Sequence, residues 1–119
     1  MKNKEEVPQG SLHNVMAAGT TVKGDIITES DFRLDGRVEG NIVCGAKIVI
    51  GPKAEIVGNI TSVNAEVMGS VKGNMEISGI LVLKASGVLN GDVATHTLEI
   101  EPNARFNGTC RMLSDKDKK

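Results

Sequence analysis

Apolar and polar residues alternate along this chain in short segments, and one five-residue phrase recurs among them. The phrase is an apolar residue, any residue, glycine, any residue and a second apolar residue. Its glycines lie 16, 18, 15, 18 and 17 residues apart, at Gly24, Gly40, Gly58, Gly73, Gly91 and Gly108. A unit of this length cannot bury its apolar face alone, so a nearly fixed period predicts a solenoid of about six stacked turns.

Two further columns of residues repeat once in each turn. One column ends at Leu34, Ile50, Val67, Leu83 and Ile100. The other follows four residues after each glycine, at Thr28, Cys44, Ser62, Ile77, Thr95 and Met112. Each turn therefore offers three short alternating segments, with apolar residues inward and polar residues outward. This pattern predicts an all-β, single-domain parallel β-helix with three sides.

The six glycines of the phrase are predicted to lie at corners. A sharp bend between two inward residues leaves no space for a Cβ atom or requires a positive φ. The residue that follows is Asp or Asn in five of the six turns, and both types bond readily to nearby backbone. If these side chains stack in register, they form an external ladder.

The periodicity divides the chain into three parts. Residues 18–112 are predicted to form the β-helix, between a flexible tail at 1–17 and a flexible charged tail at 113–119, so both termini are expected to be disordered. In the first tail Leu12, Val15 and Met16 have the spacing of one helical turn. Three roles stay open for that turn: contact with a membrane surface, a cap on the first coil, or none.

Charge and composition exclude several classes of protein. The net charge is −1, with basic and acidic residues interspersed, and only 2% of residues are aromatic. A nucleic-acid partner is not expected, because it requires a basic surface and usually stacking aromatics. The apolar runs are too short for a membrane-spanning helix, and the first residues do not read as a signal peptide. We therefore expect a cytoplasmic protein.

The candidates for chemistry are few. Cys44 and Cys110 belong to turns roughly 19 Å apart, too far for a disulfide, and are expected to be small core residues. The alternative function is an acyltransferase of the hexapeptide-repeat type, with His13 or His96 as general base. The drifting period argues against it, as does the lack of a nucleophile or metal triad near His96. Carbohydrate binding or cleavage is not expected either, because the chain has no Trp or Tyr to form an aromatic platform for a sugar ring. No catalytic residue, metal or cofactor is predicted.

The ends of the solenoid carry the functional prediction. Solenoids normally need polar caps, because the end turns otherwise expose apolar side chains and unpaired strand edges. No polar cap is evident at either end of the repeat. We expect end-to-end polymerisation through Val22 and Ile26 at one end and Phe106, Cys110, Met112 and Leu113 at the other. Physics alone leaves filament polarity open.

Residues 18–112 resemble the bactofilins. The resemblance rests on a tail followed by Phe32-Arg-Leu-Asp-Gly-Arg-Val-Glu-Gly-Asn-Ile42, and on repeated Ile-Val-Ile-Gly and Gly-Asn-Ile phrases. It implies a right-handed β-helix that polymerises without nucleotide into apolar filaments. It also implies a cytoskeletal scaffold, at the inner face of the cytoplasmic membrane in many relatives, that positions cell-wall enzymes and influences cell shape. The acidic Glu5 and Glu6 depart from the basic membrane-binding tails of such relatives.

Overall fold

A computed structural model describes residues 14–114 and shows fourteen parallel β-strands and no helix within them. Eight strands form one sheet, and six short strands form a second. The first sheet contains β1 (Asn14–Met16), β3 (Ile26–Thr28), β4 (Phe32–Leu34), β6 (Ile42–Ile50), β8 (Ile60–Val67), β10 (Met75–Leu83), β12 (Val93–Ile100) and β14 (Cys110–Met112). The second contains β2 (Thr21–Lys23), β5 (Arg37–Glu39), β7 (Glu55–Val57), β9 (Ser70–Lys72), β11 (Val88–Asn90) and β13 (Arg105–Asn107).

The large sheet bends and supplies two of the three sides. Strand β6 pairs with β3 through its first residues and with β4 through its last ones, and the register shifts between Cys44 and Lys47. The first side thus stacks residues 26–28, 42–44, 60–62, 75–77, 93–95 and 110–112. The second side stacks 14–16, 32–34, 48–50, 65–67, 81–83 and 98–100. The second sheet is the third side. The predicted three-sided solenoid of about six turns is confirmed; its right hand stays a prediction.

The interior consists of columns of aliphatic side chains. Ile42, Ile48, Ile50 and Ile56 are fully buried, and each belongs to a column that continues through the turns above and below. Burying each such side chain stabilises the fold by roughly 1.5–3 kcal/mol. The buried polar side chains Ser62 and Thr95 donate their hydroxyl protons to corner carbonyls, Ser62 to Ala46 at 2.9 Å and Thr95 to Gly79 at 3.2 Å.

The corner glycines stack directly on one another. All six have φ between 140° and 155°, in the region that favours glycine. A Cβ atom on Gly58 would lie 2.0 Å from the carbonyl oxygen of Gly40, and one on Gly108 would lie 1.8 Å from that of Gly91. Gly24 has nothing within 4 Å of that position, because no turn lies beneath it among the described residues.

A ladder of side chains runs along the same corner. The backbone N–H of Asn59 donates to Oδ1 of Asn41 at 3.0 Å, and that of Asn74 donates to Oδ1 of Asn59 at 3.0 Å. The same bond links Asn41 to Asp25 and Asp92 to Asn74. The ladder joins each side chain to the backbone of the next turn, so it satisfies N–H groups that a corner would otherwise leave unpaired.

The solenoid begins earlier than predicted. Strand β1 starts at Asn14, inside the predicted tail of residues 1–17, and pairs in register with β4. The helical turn considered for Leu12, Val15 and Met16 is wrong for the latter two, because strand alternation turns Met16 into the core and leaves Val15 57% exposed. Leu12, the rest of that tail and residues 115–119 lie outside the described residues.

Candidate polymerisation interface

Each end of the stack presents three strand edges, one from each side. At the N-terminal end these are the outer edges of β1, β2 and β3. At the C-terminal end they are β13, β14 and the last residues of β12. Every edge carries backbone N–H and C=O groups that no strand pairs on that side within residues 14–114. Such edges are templates for pairing with another chain.

The C-terminal end is apolar at every inward position. The last layer continues the core columns with Phe106 above Leu89, Cys110 above Val93 and Met112 above Thr95. Met112 is 52% exposed, Cys110 is exposed and Phe106 is half-buried, because no described turn covers them. The end therefore shows a cross-section of the core to solvent.

Two members of this apolar surface were missing from the predicted interface. Leu98 and Ile100 form the last layer of the second side, where Ile100 is 47% exposed and Leu98 is half-buried. The sequence contained this information. Seventeen residues after Leu98 and Ile100, at the spacing of one turn, the sequence has Asp115 and Asp117 instead of apolar residues. The strand that contains Leu98 and Ile100 precedes Gly108, so it lies outside a last turn that is counted from its glycine.

The N-terminal end is mixed in character. Val22 and Ile26 lie in the first layer, half-buried, and pack against the core from below, while Met16 is buried there. The remaining inward positions hold Asn14 beneath Phe32 and Thr28 beneath Cys44. The amide Nδ2 of Asn14 donates to the Thr28 hydroxyl at 2.9 Å. This polar pair is a partial cap, although no polar cap was predicted at this end.

Of the six residues predicted for the interface, five lie in the two end layers and one differs. Leu113 is only 9% exposed, and its backbone N–H donates to the carbonyl of Thr95 at 2.7 Å. It belongs to the packed solenoid in the isolated chain. Its part in a polymer contact stays a prediction, as does membrane contact by Val15 and Leu12. Met16, the third residue of that predicted membrane contact, is instead buried in the core.

The two cysteines occupy different environments. Both cysteines are free. Cys44 is buried, as predicted for a small core residue. The same prediction is wrong for Cys110, which is exposed. The side chain of Cys110 lies 3.6 Å from the Met112 sulfur, and its partial burial raises the pKa of the thiol above its ordinary value. Cys110 has an inward position in a layer that no described turn covers, which explains the exposure.

The second and third sides are covered by exposed ion pairs. Arg37 on the third side contacts Glu39 and Glu55. Near the second side Lys84 lies 3.3 Å from both Glu66 and Glu101, whose carboxylates raise the pKa of the lysine. Exposed pairs of this kind contribute little to stability and keep a surface hydrated. These two sides thus carry paired charges, which the inward positions of the C-terminal end do not, whereas the first side exposes apolar residues such as Ile27 and Val43.

One of the two histidines considered for catalysis, His96, lies among the described residues. Nδ1 of His96 lies 3.2 Å from the Thr97 hydroxyl at a corner. Within residues 14–114 no three His, Cys, Asp or Glu side chains converge as metal ligands, and no helix is long and apolar enough to cross a membrane. His13, the second histidine considered, lies outside those residues.

Comparison with known proteins agrees with this geometry. The chain is 26% identical over 100 residues to bactofilin BacP of Myxococcus xanthus (strain DK1622). The matched stretch covers 84% of this chain and 42% of BacP. It therefore spans less than half of that relative's length. It is 25% identical to bactofilin BacO of the same organism, over 84% of this chain and 79% of BacO. No solved structure matches. The model of a family described as "Bactofilin: Polymer-forming cytoskeletal" matches residues 14–111, so this chain belongs to the bactofilins.

Proposed function

We propose that this chain assembles end to end, without nucleotide, into filaments that serve as a cytoskeletal scaffold. The observation that carries the proposal is the apolar last layer, in which Ile100 and Met112 are about half exposed although they continue core columns. Its three strand edges are also unpaired by any strand of residues 14–114. A second copy of the chain would cover the exposed apolar side chains and pair with the backbone groups of the strand edges, because it has the same column spacing and the same kind of edges.

The proposed filament joins like ends, C-terminal to C-terminal and N-terminal to N-terminal. Such contacts are isologous, with a twofold axis across each junction, so the filament has no overall polarity. This arrangement is carried over from the resemblance to bactofilins. Packing and strand pairing supply the contact energy, which is why no nucleotide or other cofactor is invoked.

The proposed cellular role follows from the family. A cytoskeletal scaffold acts inside the cell, so we place this protein in the cytoplasm. Contact with the inner face of the cytoplasmic membrane, through Leu12 and Val15, and the positioning of cell-wall or cell-shape enzymes are the finer parts of the proposal. A long polymer suits that task because it repeats one binding surface many times.

Substituting Phe106→Arg tests the end contact. Phe106 is half-buried and lies in the last layer, so an arginine there extends into solvent in the isolated chain but is buried without a partner in the junction. We expect a folded protein by circular dichroism and no filaments by negative-stain electron microscopy. The matched control is Asn107→Arg, which places the same charge on the outward side of β13 and leaves filaments intact. Long filaments from Phe106→Arg would refute the assignment.

A further inference from the structure

We infer that the two ends bind with unequal strength: two C-terminal ends form a tight dimer, and N-terminal ends join these dimers more weakly. This inference rests on the proposed function and goes beyond it, since it assigns an order of assembly. The filament then alternates strong and weak junctions, and its building unit is a dimer instead of a single chain.

The first observation is the difference in the inward side chains of the two end layers. All five inward positions of the last layer are apolar, and Leu98, Ile100, Phe106, Cys110 and Met112 occupy them. In the first layer, Asn14 and Thr28 occupy two of the five positions. A C-terminal junction therefore removes more apolar surface from water, and apolar surface supplies most of the association energy.

The second observation is the hydrogen bond between Asn14 and Thr28. Asn14 is exposed, and its amide satisfies the Thr28 hydroxyl, which also accepts the backbone N–H of Ser30 at 3.2 Å. An N-terminal junction must either keep this group hydrated or bury polar atoms whose remaining hydrogen bonds are unmade. Either choice weakens the contact relative to a purely apolar one.

The third observation is charge. Residues 14–31 carry one lysine, Lys23, against three carboxylates, Asp25, Glu29 and Asp31, a net charge of −2. Residues 98–114 carry two glutamates and two arginines, Glu99, Glu101, Arg105 and Arg111, a net charge of zero. An isologous contact brings identical charges together. Two N-terminal turns therefore repel, whereas two C-terminal turns offer both signs to each other. Added salt should strengthen the N-terminal junction, because it screens that repulsion.

Matched variants of the two ends separate the junctions. Met112→Glu and Ile100→Glu alter the C-terminal end at side chains that are about half exposed in the isolated chain, so the fold tolerates them. Val22→Glu and Asn14→Glu alter the N-terminal end and add to its negative charge, and Asn14→Glu is the second variant in case Val22→Glu fails to fold. The control is Ile27→Gln, which changes an outward side chain of the first turn, 78% exposed, and leaves the charge of the N-terminal end as it is. Mass photometry and sedimentation velocity then follow each full-length protein through a dilution series.

We expect the wild type to pass from filaments to dimers and only then to monomers on dilution. N-terminal variants should remain dimers at all but the lowest concentrations. C-terminal variants should be monomers over most of that range, with a dimer dissociation constant at least about tenfold higher than that of the N-terminal variants. The residual dimer of the C-terminal variants should tighten when salt is added. The Ile27→Gln control should assemble as the wild type does.

Three outcomes would overturn the inference, and each identifies what failed. If C-terminal variants dimerise as tightly as N-terminal variants, the ends are equal and only the order of assembly is wrong. If both kinds of variant are monomeric but form dimers when mixed, unlike ends meet and the isologous arrangement is wrong as well. If the wild type is monomeric at every concentration, the proposed function itself fails.

Discussion

The fifth and sixth turns place the same columns in opposite situations. In the fifth turn Leu89 and Val93 are 1% and 3% exposed. One layer further on, Phe106 is half-buried and Cys110 is exposed, although they face the same interior. The residue types are alike, and only the presence or absence of a covering turn differs. A residue at a core position of a solenoid thus becomes a surface residue when no described turn covers it.

The comparison is sharpest in the column that contains Thr95. Thr95 is fully buried, and its hydroxyl bonds to the carbonyls of Gly79 and Thr97 at 3.2 and 3.1 Å. The position above it holds Met112, which is 52% exposed. An end turn suited to solvent would have the opposite order, with the polar residue in the last layer and the apolar residue in the layer beneath it. The last turn therefore has the composition of an interior layer, which suits a surface that is covered by another chain.

The largest effect is expected from a charge in the interior of the stack. Ile56 is fully buried in the third turn, and Ile56→Arg should prevent folding, because an unpaired buried charge costs more than the whole stability of a small domain. Its neighbour Val57 is 39% exposed and points outward, so Val57→Arg should fold normally. Circular dichroism with thermal melting distinguishes them. A folded Ile56→Arg protein would show that interior and end positions are equally tolerant.

Alanine at the corner glycines should show a smaller effect that also depends on the turn. Gly58→Ala places a Cβ atom 2.0 Å from the Gly40 carbonyl oxygen, and we expect it to lower the free energy of unfolding by at least about 3 kcal/mol. Gly24→Ala meets no atom within 4 Å and suffers only the strain of its φ of 140°, about 1–2 kcal/mol. Urea titration measures both values. Equal losses would mean that the strain alone matters and the stacking does not.

The two cysteines allow the exposure of an interior layer and of the last layer to be measured without any substitution. Cys44 is buried and should react with a maleimide only when the protein unfolds, whereas Cys110 should react readily in the disassembled state. Filament assembly should slow labelling of Cys110 by at least about tenfold, because the junction covers it. Burial raises the pKa of this thiol and thiolate is the reactive form, so its rate should keep rising to a higher pH than for a free cysteine. Labelling of Cys110 that is unchanged by assembly would place the contact elsewhere.

The smallest effect is expected on the lateral surface. Lys84→Ala removes the ion pairs with Glu66 and Glu101, and it should change the free energy of unfolding by less than about 1 kcal/mol. Filaments should form as in the wild type, which urea titration and electron microscopy together can check. A loss of filaments without a loss of stability would show that sides as well as ends take part in assembly.

Most of the fold was predictable because each turn repeats the same local rule. The glycine phrase and the two further columns predicted the sides, the number of turns and most inward residues, since in-register stacking aligns equivalent positions. The start at Asn14 was not predictable in this way. Strand β1 contains one buried aliphatic residue, Met16, and a polar residue at its other inward position, so it shows almost no alternation of its own. It is a strand because it pairs with β4.

The sequence by itself determined the repeat, the corners and the apolar character of the last turn, because these depend on residue types at fixed spacing. Only the tertiary structure decided which residues have no neighbour above or below. That choice adds Leu98 and Ile100 to the C-terminal surface, sets Leu113 apart as buried, and joins Asn14 to Thr28 across the N-terminal end. The physical reason is that exposure in a solenoid depends on the layers that cover a residue, and those layers lie 15 to 18 residues away along the chain.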